Sequence, residues 1–382
     1  MPITLTSKLP DVGLTIFSAM SQLAAEHGAV NLSQGFPDFE VSPALIDRVV
    51  HYMRKGYNQY APMTGAAALR EAIAAKTADL YDARYDPESE ITVTSGATEA
   101  VFAAITAVVR PGDEAIIIEP AYDAYEPAVR LSGGRPVFVP MTFPGYRLDW
   151  EAVRAALGAR TRLLILNFPH NPTGMVLTAD DIAQLKDLTA GTDLLILSDE
   201  VYEHILFDGH RHESMARYPE LRRRSFVVSS FGKTYHATGW KIGYCLAPAH
   251  LSSELRKIHQ YLTFASNTPI QMALADYLRD TTDHLELSDF YQKKRDRFLA
   301  LLRPSRLRPL ACEGTYFQMV DYGTVSDEPD TAFARRLTIE YGVAAIPPSV
   351  FYHQRDDHRV LRFCFAKNDM TLKEAAEKLC RI

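Results

Sequence analysis

The chain has 382 residues, 47% of them hydrophobic and 23% charged, a composition that supports a sizeable core in two domains or one large α/β domain. A formal net charge of −6 provides no basic surface for nucleic acid, and no apolar run reaches the length of a membrane span. Cys245, Cys312, Cys364 and Cys380 form no CxxC pair, which argues against a disulfide framework or a zinc site. With a start that lacks the apolar core of a signal peptide, this leads to the expectation of a soluble cytoplasmic protein.

Residues 1–45 read as an arm of little periodicity with a turn-rich patch, Leu32-Ser33-Gln34-Gly35-Phe36-Pro37-Asp38. Residues 43–55 predict a helix, 56–65 a loop and 66–81 a second helix, where Leu69, Ile73 and Leu80 recur at three-to-four spacing. Strands and helices then alternate. Ile91-Thr92-Val93-Thr94 is a β-branched strand that stops at Ser95-Gly96, and a helix over 97–109 ends at Pro111-Gly112. Short strands are expected at 115–118 and 136–139. The apolar runs 162–166 and 193–197 have the character of parallel strands covered on both faces, with a crossover helix over 178–190 between them. Residues 225–229 form the next strand. Such alternation predicts an α/β fold built on a mainly parallel, helix-covered sheet.

Near residue 275 the texture changes. A long charged amphipathic helix over 286–302 and short strands at 317–320, 343–346 and 360–365 make an α+β pattern. The expected organisation is a large domain over 46–275 and a smaller one over 276–382, completed by the arm of residues 1–45.

In open parallel sheets the ligand sits beyond the carboxyl ends of the strands, and four unusual polar groups occupy such ends. Ser95-Gly96-Ala97-Thr98 opens a helix whose free N–H groups and dipole can hold a phosphate; taken alone, a routine helix cap is the commoner reading. Asn167-Phe168-Pro169-His170-Asn171-Pro172-Thr173-Gly174 flanks a His-Asn pair with prolines and so aims the Asn171 amide, unless it is a plain turn. Asp199 ends an all-apolar strand, where a carboxylate is protonated, capped by backbone amides or paired with a cation such as a pyridinium nitrogen. Lys233 and Lys241 follow the next strand, within Ser229-Ser230-Phe231-Gly232-Lys233-Thr234 and Gly239-Trp240-Lys241. An unpaired buried ammonium is costly, and a desolvated lysine can instead form a Schiff base with a carbonyl. A surface turn is the bland alternative. The phosphate loop of an ATPase fails on spacing, because position 227 is Val where that motif needs glycine.

On these motifs, and on Arg362 in Leu361-Arg362-Phe363-Cys364-Phe365-Ala366-Lys367, the chain resembles the class I/II pyridoxal-phosphate aminotransferases of fold type I over nearly its whole length. Asn58-Gln59-Tyr60-Ala61-Pro62-Met63-Thr64-Gly65 and His259-Gln260-Tyr261-Leu262-Thr263-Phe264 resemble the methionine and kynurenine aminotransferase branch. The resemblance implies a seven-stranded-type sheet with pyridoxal 5'-phosphate as cofactor. It implies that Lys233 carries the cofactor and acts as the base, that Asp199 faces the pyridine nitrogen, and that Tyr202 and Asn171 bond the ring hydroxyl oxygen. Gly96, Ala97, Thr98, Ser230 and Lys241 would hold the phosphate, and Tyr122 would stack on the ring. Tyr60 would reach the phosphate of a neighbouring subunit, so a homodimer is implied. Arg362 would clamp the substrate α-carboxylate with Gly35 closing over it, while Asn171 would also border the substrate.

The implied activity is transamination between an amino acid and a 2-oxo acid, both small molecules, in ping-pong fashion. No second arginine motif for a dicarboxylate stands out. Phe36, Tyr60, Tyr125, Tyr261, Phe264 and Phe351 are candidate walls for an apolar or aromatic donor such as methionine, phenylalanine, tyrosine or kynurenine, although such residues more often belong to the core. The rival chemistry is a cysteine-conjugate C–S β-lyase of the same fold. A cofactor-binding regulatory module is the alternative from another class.

Overall fold

The computed structural model describes residues 5–382; the first four, part of the stretch read above for a signal peptide, lie outside the described residues. Seven strands form the central sheet: β1 (Ile91–Thr94), β2 (Glu114–Glu119), β3 (Arg135–Pro140), β4 (Thr161–Asn167), β5 (Leu195–Asp199), β6 (Ser225–Ser230) and β7 (Gly243–Leu246). Their order across the sheet is β1-β7-β6-β5-β4-β2-β3. Every pairing among β2 to β6 is parallel, as the apolar runs required. Successive residues feed opposite faces: Ile116, Leu164, Leu166 and Ile196 enter one core, while Ile117, Leu163, Ile165 and Leu197 enter another on the far side. Helices cover both faces, among them Ala67–Tyr81, Ala97–Val108 and Ala179–Thr189.

Strand β7 was not anticipated. It is short, begins at a glycine and runs antiparallel to both neighbours, β1 and β6. Consequently the end of β1 does not touch the end of β6 directly. Gly243, at the start of β7, is paired with Thr94 on one side and Ser230 on the other.

The N-terminal arm also differs from expectation, because Ile16–Glu26 is an α-helix capped by Thr15, whose hydroxyl accepts from the Ser18 N–H at 3.3 Å. Its apolar spacing (Phe17, Met20, Leu23, Ala24) is the signal that a composition-level reading of the arm passed over. Val30–Asn31 then pairs in parallel with Val343–Ala344, and the expected strand at 343–346 shrinks to those two residues. Phe317–Asp321 pairs antiparallel with Val360–Cys364 and Arg308–Pro309. A third core holds Met20, Leu23 and Leu32 of the arm together with Phe333, Leu361, Phe363 and Leu379. The arm therefore packs mainly with the C-terminal elements. Among the described residues no helix is long and apolar enough to cross a membrane.

Candidate active site

The register of the sheet aligns the polar groups singled out above. Asn167 ends β4 opposite Asp199 at the end of β5, and β6 ends at Ser230, from which Phe231–Thr234 turns as a short helix carrying Lys233. Beyond these ends lies a cavity of about 280 Å³. Gly35, Gly96, Ala97, Thr98, Tyr122 and Asn171 line it, as do Asp199, Tyr202, Ser230, Lys233, Lys241 and Arg362. Twelve of the thirteen residues expected at the site thus converge on one space. Tyr60 does not line the cavity; it is 84% exposed and stands edge-on to Phe264 at 5.5 Å.

Asp199 is buried and is the sole acidic residue among the described lining residues. Its carboxylate accepts from the Tyr125 hydroxyl at 2.7 Å and from the Val201 N–H at 3.3 Å, and burial raises its pKa to about 6. Three cations, Lys233, Lys241 and Arg362, line the same cavity. Burial pushes the Lys233 amine down to about 8, and that amine donates to the Gly35 carbonyl at 3.1 Å and the Tyr316 hydroxyl at 3.0 Å. Arg362 is completely buried, and burial lowers its guanidinium to about 10. It donates to the Asn171 Oδ1 at 2.7 Å and the Ser33 carbonyl at 2.8 Å, while its Nε has no partner. No carboxylate lies within ion-pair distance of Lys233, Lys241 or Arg362 among the described residues. A pocket with three such cations and one carboxylate is built for an anionic occupant.

Asn171 is held as its prolines suggested, and more firmly. Its N–H donates to the Asn167 Oδ1 at 3.0 Å, and the Asn167 side chain donates in turn to the Asp199 carbonyl at 2.9 Å. Because Arg362 takes the Asn171 Oδ1, the two donors of the Nδ2 group are left for the cavity.

The helix Ala97–Val108 starts beside the cavity with Gly96 as its cap at φ +79°. One expectation is corrected here: the Gly96 N–H donates to the Thr94 carbonyl at 2.8 Å and is not available to a ligand. The donors left by the first turn are those of Ala97 and Thr98. Behind them the Ser95 N–H donates to Glu99 at 3.0 Å, and Glu99 bonds buried His259, whose other nitrogen meets the Met63 carbonyl at 2.9 Å.

Of the six aromatic walls proposed from sequence, Tyr125 lines the cavity, though its hydroxyl serves Asp199. Phe351 is buried beside it, 5.7 Å from Phe17. Phe36, Tyr60, Tyr261 and Phe264 are exposed. The apolar rings in the wall are instead Phe17, from the unanticipated helix, and Phe317, whose ring lies 3.9 Å under the Arg362 guanidinium; Val101, Val201 and Ile242 complete the apolar lining.

The sequence model of the family "Aminotransferase class I and II" matches residues 27–379. The chain belongs to this family. It is 55% identical to methionine aminotransferase of Escherichia coli K12, covering 99% of this chain and 98% of that one. It is 35% identical to kynurenine–oxoglutarate transaminase of Dictyostelium discoideum, covering 97% and 94% of the two chains. The crystal structure of Escherichia coli YbdL, described as identifying a methionine aminotransferase function, superposes with a TM-score of 0.98 at 54% identity over 100% of both chains.

Aminotransferases of this family use pyridoxal 5'-phosphate, and this cavity fits it. The surplus of cations suits its phosphate and a substrate carboxylate, the buried Asp199 suits a pyridinium, and Lys233 is a depressed-pKa amine within the same space. Close packing at the start of the helix Ala97–Val108 also explains Gly243. A Cβ there would lie 2.8 Å from Ala97 N, Gly96 C and Ser229 O, all of them backbone atoms. Gly243→Ala is therefore expected to destabilise the protein by about 1–3 kcal/mol through overpacking and to weaken cofactor retention by about tenfold. Thermal melts and absorbance titration with cofactor check this; normal cofactor affinity in the variant would remove Gly243 from the cradle.

Proposed function

We propose that the chain transfers the α-amino group of an apolar or aromatic amino acid, of the methionine, phenylalanine, tyrosine or kynurenine type, to a 2-oxo acid. The observation that carries this reading is the pair Lys233, partly buried, and Arg362, completely buried: two cations without carboxylate partners that line one cavity with Asp199. When bound, pyridoxal phosphate supplies the electron-withdrawing ring that accepts the charge left at the substrate Cα.

The protein's part is to bind, orient and move protons. Lys233, with its pKa near 8, is close enough to neutrality to hold the cofactor covalently and, once freed, to carry the Cα proton at Nζ. Asp199, its pKa raised to about 6 by burial, would face the ring nitrogen and favour its protonated form, with Tyr125 holding the carboxylate in place. Asn171 and Tyr202 would donate to the ring oxygen, and Tyr122 would stack on the ring. Ala97 and Thr98 N–H groups, Ser230 and Lys241 would hold the phosphate. Arg362 grips the α-carboxylate with the Gly35 segment against it; the guanidinium fork gives orientation as well as affinity. Each half-reaction uses these same groups, so donor and acceptor share the site in ping-pong order.

The substrate class follows from the walls. Phe17 and Phe317 are apolar, and Arg362 is the one arginine lining the cavity among the described residues, which leaves a second carboxylate without a fork to bind it. We also propose a homodimer, in which exposed Tyr60, Tyr261 and Phe264 meet the other subunit and Tyr60 reaches its phosphate site. Residues 46–275 form the larger unit, and residues 276–382 with the arm form the smaller one. Four free cysteines accord with a cytoplasmic setting.

Steady-state profiling of amino donors against several 2-oxo acids tests this reading. Methionine or an aromatic donor is expected to exceed aspartate by about tenfold or more in kcat/KM, the discrimination an apolar pocket achieves. A preference for aspartate would overturn the substrate assignment. Pyruvate and ammonia released from a cysteine conjugate without any 2-oxo acid would identify β-elimination instead.

A further inference from the structure

Tyr316 is not among the residues whose motifs suggested the site. It precedes the strand Phe317–Asp321 and is completely buried, with its ring edge-on to Tyr202 at 5.1 Å and tilted against Tyr291 at 5.6 Å. Its hydroxyl donates to the Gly35 carbonyl at 2.6 Å and accepts from the Lys233 amine at 3.0 Å. The same amine donates to the same carbonyl at 3.1 Å, which closes a triangle of three groups. Among the described residues Tyr316 is the only side chain hydrogen-bonded to Lys233.

A tyrosine hydroxyl has one proton to give, and here it is given to Gly35. Burial holds the Tyr316 hydroxyl well above its ordinary pKa, so it stays protonated and does not compete as a base. A neutral lysine amine has two protons and one lone pair at tetrahedral positions. With the two protons given to Gly35 and Tyr316, the lone pair of the neutral amine is left free. The Gly35 segment is itself fastened from both sides: Lys367 Nζ donates to the Phe36 carbonyl at 2.8 Å, and Gln34 Nε2 donates to Ser21 Oγ at 2.6 Å. A Cβ at Gly35 would lie 2.8 Å from Phe317 Cζ, so the segment sits directly on the ring that also carries Arg362.

We infer that Tyr316 is a positioning residue that, with the Gly35 carbonyl, parks the free amine of Lys233 so that its third tetrahedral position faces the cavity. The inference rests on Lys233 being the lysine that is released and then moves the proton, as proposed above. It links two events. The carbonyl that orients the amine belongs to the segment placed against the substrate carboxylate, so the amine is aimed only while that segment is in place.

Tyr316→Phe removes one oxygen and keeps the ring, so the packing against Tyr202, Tyr291 and Phe317 persists. The first readout uses cofactor-free protein: the rate at which acetic anhydride labels Lys233 is followed against pH by mass spectrometry of its peptide. Wild type is expected to titrate at about 8. In the variant the ammonium loses an acceptor, which serves the charged form more than the neutral one, and the midpoint is expected to fall by about one pH unit. The second readout is single-turnover consumption of methionine by the loaded enzyme, expected to slow by about 10–100-fold with the donor KM changed less than kcat, as loss of an aimed base requires.

A variant midpoint within about 0.2 unit of wild type overturns the inference, whatever the rate does. Failure of the underlying reading would look different: Lys233 would titrate and shift as stated, but the wild-type protein would take up no pyridoxal phosphate.

Discussion

Lys233→Ala is expected to abolish the visible absorbance of the lysine-bound cofactor and to lower amino transfer by about 10⁴-fold or more, the upper range of a positioned acid–base group. Burial has lowered the pKa of the Lys233 amine to about 8, and its two hydrogen bonds fix where it stands in the cavity. The fold should survive, because deleting a desolvated amine with no carboxylate partner removes an unfavourable burial. Added methylamine is expected to restore part of the rate, since it can supply a base where the side chain stood. Absorbance and titrated turnover of the purified variant are the measurements. Retention of both signals would reject Lys233 as the cofactor-bearing residue.

Arg362→Lys is expected to reduce kcat/KM by about 10²–10³-fold for every α-amino acid donor, the effect of about 3–4 kcal/mol when a buried charged hydrogen-bond partner is lost. Lysine keeps the charge but not the fork, and the guanidinium here spends its fork on fixed geometry. One nitrogen holds the Asn171 Oδ1, another the Ser33 carbonyl, and the plane rests on Phe317. The substitution therefore disturbs carboxylate binding and the orientation of the Asn171 amide together. The absorbance of the loaded protein should remain, which separates this variant from Lys233→Ala. A loss smaller than tenfold, with wild-type absorbance, would place the carboxylate elsewhere.

Much of this was legible along the chain because the information is local. Alternating and continuous apolar runs specify β1, β2, β4, β5 and β6, and a polar residue at the end of such a run lies at the carboxyl end of the sheet, where Asp199 and Ser230 are found. The motif around Lys233 follows the end of β6 for the same reason. The helix at Ile16–Glu26 was equally local, and its spacing is visible in the sequence once the arm is read for period.

What the chain could not disclose depends on contacts between distant segments. Gly35 and Tyr316 are separated by 281 positions, and Arg362 and Asn171 by 191, so no window of sequence contains either bond. Strand β7 is four residues long and pairs along both β1 and β6, whose facing backbone groups it satisfies. Its antiparallel entry brings Gly243 against the start of the helix Ala97–Val108, and the Thr94 carbonyl takes the Gly96 N–H out of the cradle. The sequence by itself determined the α/β order and which reactive groups would stand at strand ends, because periodicity and strand termination are short-range properties. Only the tertiary structure decided which donors remain free, which aromatic rings wall the cavity and which hydroxyl steadies the lysine, because those outcomes are set by close packing between segments far apart in the chain.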